Sequence, residues 1–264
     1  MIKLLTKVSR YMHSGTMGLP LSTCEPLQVD LLPCDDKQWA QGRIGAGEPL
    51  YATSPSVGTT SGVFASLCRA AHILGRVVRH RDDLNLDLSF QINEATTLHH
   101  ALVALESTFP VPKLHPHDEE SACDIGAAIL PFLINQSARY ILYTMYACND
   151  FFIERCGEPR IGRETEIQKL SITGLENLTE NMYELAGRLQ VVLKISMNSV
   201  SPLASHCLFL ALSECAWYVR EDGDDKMRMV LNLMMEVMDV LKMRWKVCGM
   251  GCISQQSTKL SLTL

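Results

Sequence analysis

Apolar residues recur at helical spacing through most of the chain. Phe64, Leu67, Cys68, Ala71, Leu74, Val77 and Val78 form one stripe. Thr59, Thr60 and Ser61 are the N-cap candidates for that helix, and Asp82-Asp83 ends it. Arg69, His72, Arg76, Arg79 and His80 fall on its opposite, solvated face. A second helix is expected over residues 90–109, with Ile92, Leu98, Leu102 and Leu105 turned inward. Pro110 and Pro112 stop it. Residues 123–150 are apolar nearly all round, which predicts a central, buried helix, with Pro131 a candidate kink. Residues 164–195 carry a long stripe of Leu175, Leu178, Met182, Leu185 and Leu189. Ser201-Pro202 opens a helix over 203–219. In the last helix, over 226–246, Met227, Val230, Met234, Val237 or Met238, and Leu241 face inward. Arg228, Asn232, Glu236, Asp239 and Lys242 face out.

The segments between are polar or rich in Gly and Pro. Residues 1–20 hold a short helical piece, and 22–60 read as loop, with Gly42, Gly45, Gly47, Pro49, Pro55 and Gly58. Further breaks fall at 114–120, at 156–163, and at an acidic turn around Gly223. No strand alternation and no fixed-period repeat stands out. The expected fold is therefore all-α, an irregular multi-helix bundle forming a single domain.

Composition narrows this picture. At 47% hydrophobic and 20% charged the chain is globular, and 264 residues bury roughly 70–75% of their unfolded surface. With only 6% aromatics but 13 Met, the core leans on flexible helix formers. The net charge of −5 argues against gripping nucleic acid unaided. Lys3, Lys7 and Arg10 interrupt any secretory core in residues 1–10. The apolar runs look too short for a bilayer; 124–135 is the longest and contains Pro131. A reducing compartment is expected, so the 10 cysteines read as free, mostly buried thiols. The glycosylation patterns at Asn135 and Asn177 carry no meaning in that setting.

Candidate chemistry is sparse. No Cys-x2-Cys pair exists; Cys248 and Cys252 are the closest. Cys148/Cys156 and Cys207/Cys215 lie two helical turns apart and read as core. His115 and His117, with Asp118, Glu119 and Glu120, read as a solvated loop rather than a metal site. The sharpest enzymatic pattern is Asp82, Asp83 and Asp87. Carboxylates at helix ends of all-α proteins hold magnesium and a diphosphate in terpenoid synthases, since magnesium takes hard oxygen ligands. The second motif of those enzymes is broken here: Asn149-Asp150 begins it, but Ile153 stands at the Ser position and Glu158 is one residue late. The preferred reading is a charged cap on the basic helix. Met227, Met229, Met234, Met235, Met238 and Met243 make either core filler or an adaptable binding stripe. Nucleophile-elbow, phosphate-loop and His-Glu-x-x-His patterns are absent, so no catalytic, cofactor-binding or metal residue is assigned.

Two phrases remain. The first is Leu32-Pro33-Cys34-Asp35-Asp36, followed by Trp39 and Gly42. The second runs Phe64-Ala65-Ser66-Leu67-Cys68-Arg69-Ala70-Ala71-His72-Ile73-Leu74-Gly75-Arg76-Val77. In this order, with the later Ala138-Arg139-Tyr140-Ile141-Leu142-Tyr143, they resemble the regulatory domain of fungal zinc-cluster transcription factors. The resemblance covers residues 31–252, leaving 1–30 as a helical remnant and loop and 253–264 as a flexible tail. It implies a nuclear, non-enzymatic regulator of a gene set such as a secondary-metabolite cluster. It also implies protein partners or a homodimer, and room for a small-molecule effector. In that family DNA is read by a preceding cluster of six cysteines holding zinc, with a coiled coil after it. Residues before Ser22 carry neither, so zinc and DNA contact are expected only from sequence outside this chain. The first helices of the domain are expected to be missing as well, which would leave apolar stripes for a partner to cover.

Overall fold

The computed structural model describes residues 26–27, 30–34, 36–43, 47–50, 62–83, 87–109, 119–147, 162–223 and 225–245. Seven helices lie among them: α1 (Asp36–Ala40), α2 (Val63–Asp82), α3 (Leu88–Glu106), α4 (Glu119–Ala147), α5 (Arg163–Ile195), α6 (Leu203–Asp222) and α7 (Asp225–Arg244). The described residues contain no strand, only an isolated antiparallel bridge between Leu31 and Pro49. The fold is the all-α multi-helix bundle expected.

Helix α4 is the hub. It packs against α2, α3, α5 and α6, while α7 closes over α5 and α6. Between Ile125 and Ala147 only Ala127 is exposed. The helix runs unbroken through Pro131. Proline lacks the N–H that would bond the Ala127 carbonyl, so the missing bond falls in the one turn that solvent reaches. This helix also corrects the expectation that no apolar run is long enough for a bilayer. Ile125–Ala147 passes that test by length and composition, but most of it is buried inside the bundle. That is the behaviour of a core helix. Asn135 is buried within it, so the pattern there is no glycosylation site.

Helix α2 departs from its reading. The expected stripe is inside, but no residue from Val63 to Arg81 is exposed; the basic flank is half-covered. His80, assigned to the wet face, is buried. The reason is that both α3 and α4 pack on α2, and His80 bonds Glu94 of the first and Tyr146 of the second. Thr59, Thr60 and Ser61 lie outside the described residues. Gly62 is the N-cap and supplies no side-chain bond.

The other helices match their patterns with small boundary shifts. Every inward residue named for α3, α5 and α7 is buried, including both Val237 and Met238. Helix α6 extends to Asp222 and is closed by Gly223, which takes the left-handed conformation (φ +65°) that glycine tolerates best. Met227, Met234 and Met238 are core, whereas Met229 and Met243 are exposed. Buried apolar residues form one continuous cluster from Leu67 to Leu241.

Candidate functional site

Glu48 bridges the two sequence phrases. The Leu32 N–H donates to the Glu48 carbonyl at 2.7 Å, and the Leu50 N–H to the Asp30 carbonyl at 3.0 Å. This pairs the first phrase with the segment around Glu48. The approach is close: a Cβ on Gly47 would lie 2.5 Å from the Leu32 carbonyl oxygen. Glu48, only 7% exposed, then accepts a 2.5 Å bond from Arg69 of the second phrase, itself 15% exposed. Trp39 and Gly42 form the stop of α1. Gly42 adopts φ +69° and donates its N–H to the Trp39 carbonyl at 3.0 Å. The Trp39 ring is exposed. Asp35 lies outside the described residues.

The aspartates have structural partners. Asp82 pairs with Arg81 at 2.8 Å. Asp83 is the C-cap of α2, its N–H bonded to the Arg79 carbonyl, and its own carbonyl accepts from the Gln91 amide at 2.8 Å. Asp87 caps α3 by accepting the Phe90 N–H at 3.3 Å. Among the described residues no three His, Cys, Asp or Glu side chains converge as metal ligands. Asn149, Asp150, Ile153 and Glu158 lie outside the described residues, as do His115, His117, Asp118, Cys148, Cys156, Cys248 and Cys252.

Cys207 and Cys215 are free and buried on α6. Burial pushes both thiols up to about 12. Neither is expected to react with iodoacetamide in the folded chain at pH 8, while both react in urea. Mass-spectrometric labelling mapped to each cysteine checks this; modification of Cys207 or Cys215 in the folded chain would refute it.

The arrangement that sequence reading missed is a polar seam where α2 and α4 meet α3. His80 is fully buried, with Nδ1 2.8 Å from a Glu94 carboxylate oxygen and Nε2 2.6 Å from the Tyr146 hydroxyl. Glu94 can only accept, so His80 carries its proton on Nδ1. Toward the end of α3, His99 Nδ1 lies 2.7 Å from the Tyr143 hydroxyl, and Arg139 Nε donates to the same oxygen at 3.3 Å. Arg139 also pairs with the Glu106 carboxylate, which accepts a 2.9 Å bond from the Gln136 amide. The Asn135 amide donates to the Leu102 carbonyl at 3.2 Å. Burial lowers the His99 pKa, with His100 and Arg139 adding to the effect. Burial raises that of Tyr143, with Arg139 opposing. One signal pointed here. Arg139 is the only charge in 125–147, and a lone cation in an apolar helix implies a buried partner. With His80 and Tyr146 closed to solvent, the seam joins helices. No protein-family model, curated protein or solved structure matches the chain.

Proposed function

We propose that this chain is the regulatory helical region of a fungal zinc-cluster type transcription regulator, acting in the nucleus on a gene set such as a secondary-metabolite cluster. The observation that carries the reading is Glu48. It pairs with the backbone of the Leu32 phrase and bonds Arg69 of the Phe64–Val77 phrase, so the two segments behind the resemblance act as one unit. The acidic net charge fits a domain that leaves DNA contact to a zinc cluster elsewhere. Protein partners or a second copy, and a small-molecule effector, belong to the same proposal, and no catalysis does.

The test is tethering. Fused to a foreign DNA-binding domain, the chain is expected to change reporter output several-fold over that domain alone. Glu48→Ala is expected to reduce the change. A fluorescent fusion should concentrate in nuclei. Unchanged output together with nuclear exclusion would refute the proposal and leave a non-nuclear helical interaction module.

A further inference from the structure

We propose that His99 is an acid-sensitive latch that holds the second half of α3 onto α4 and releases it as pH falls. The argument starts from which atom holds each proton. Arg139 Nε has only a hydrogen to offer, so the Tyr143 oxygen accepts from it. The hydroxyl hydrogen of Tyr143 is then left for His99 Nδ1, 2.7 Å away. His99 is thereby neutral, with its proton on Nε2. Protonating it sets N–H against O–H, and the Glu106 carboxylate that bears on the Tyr143 hydroxyl is already held by Arg139 and Gln136. It also adds a cation beside Arg139 and His100.

The tyrosine cannot swing clear. Its ring lies on Gly174 of α5, where even a Cβ would come within 2.4 Å of Cε2. The groups that bear on His99 are His100 on its own helix, Arg139 and Tyr143 on α4, and Glu106 through Arg139. From α5, the described polar contact to α3 is Arg163 on Asn93, more than a turn away.

His80, at the other end of the seam, is wired in the opposite sense: its Nδ1–H donates to Glu94, and the Tyr146 hydroxyl has a second acceptor in the Gln91 carbonyl, 3.5 Å away. The sign follows from His99. Its folded pKa is lowered, so the unfolded chain binds the proton more readily. The latch is fully closed above the ordinary histidine range and is lost as pH falls through it toward the folded value.

Amide hydrogen exchange on the full chain tests this at pH 7.5 and 5.5, corrected for intrinsic rates. Protection over residues 99–106 should fall about threefold or more relative to 88–95 at the lower pH. In His99→Gln, whose amide oxygen can still accept from Tyr143, that ratio should no longer move with pH. An unchanged ratio in the parent, or an equal fall in the variant, overturns the latch. An NMR titration of His99 in the unmodified chain gives a second answer that does not depend on the variant folding. A midpoint below that of an ordinary histidine supports the proposal, and one at or above it refutes it.

Discussion

Replacing Gly174 with alanine is expected to destabilise the fold by about 3 kcal/mol, although the change adds one methyl group and favours helix. The new Cβ would lie 2.4 Å from Tyr143 Cε2, 2.6 Å from Cδ2 and 2.8 Å from Cζ. It meets the side of a ring, which cannot bend away as a flexible chain would. Tyr143 is fully buried and bonded at its hydroxyl to His99 and Arg139, so moving it breaks contacts on three helices. Gly187, thirteen residues further along α5, is the internal control. A Cβ there meets nothing within 4 Å. Gly187→Ala should stabilise by about 0.5–1 kcal/mol through helix propensity and a less flexible unfolded chain. Urea unfolding should move the two midpoints in opposite directions at unchanged slope. Equal shifts would show that the Tyr143 ring has room to move.

Glu106→Ala is expected to cost about 3 kcal/mol, because it strands a cation in the interior. Arg139 is 11% exposed by its side chain and Glu106 28%, so the glutamate can hydrate more readily than the arginine can. Removing the arginine is therefore expected to cost less than removing its partner. Arg139 would keep its bond to the Tyr143 hydroxyl and its place over that ring, 5.7 Å from the centroid, but neither cancels a charge. The Gln136 amide loses its acceptor as well. Adding Arg139→Met to Glu106→Ala should recover more than half of the loss, since an apolar chain needs no counterion there. A double-mutant cycle measures this coupling; additive single effects would mean the pair is solvated.

Periodicity made much of the bundle readable. Leu98 and Leu102, Leu178 and Leu189, and Val230 and Leu241 are buried where a 3.6-residue repeat puts them. The apolar character of 123–150 likewise points to the hub. What periodicity could not supply was the partner of a polar residue. His80 reads as wet because it follows Arg76 and Arg79, yet its partners are Glu94 and Tyr146, 14 and 66 positions away. Tyr143 and Tyr146 read as part of the apolar run that holds them, which conceals their hydroxyls. The aspartates are readable from local sequence: capping is the preferred reading, and Asp83 closes α2 while Asp87 caps the next helix, α3. The resemblance to a regulator rested on phrase order, which says little about their contact; Glu48 lies in neither phrase and is what joins them to each other.

The position of α4 bears on how the chain is made. Its neighbours α2 and α3 precede it, whereas α5 and α6 follow it. When α4 leaves the ribosome, the faces meant for α5 and α6 are still bare, and at about 5–20 residues per second they stay so for seconds. A nascent chain stopped there presents a long apolar helix with the buried Arg139 inside it. Cutting the chain between α4 and α5 would make that passing state permanent. The two halves are therefore better regarded as one cooperative folding unit, completed only when α5 arrives to put Gly174 beneath Tyr143.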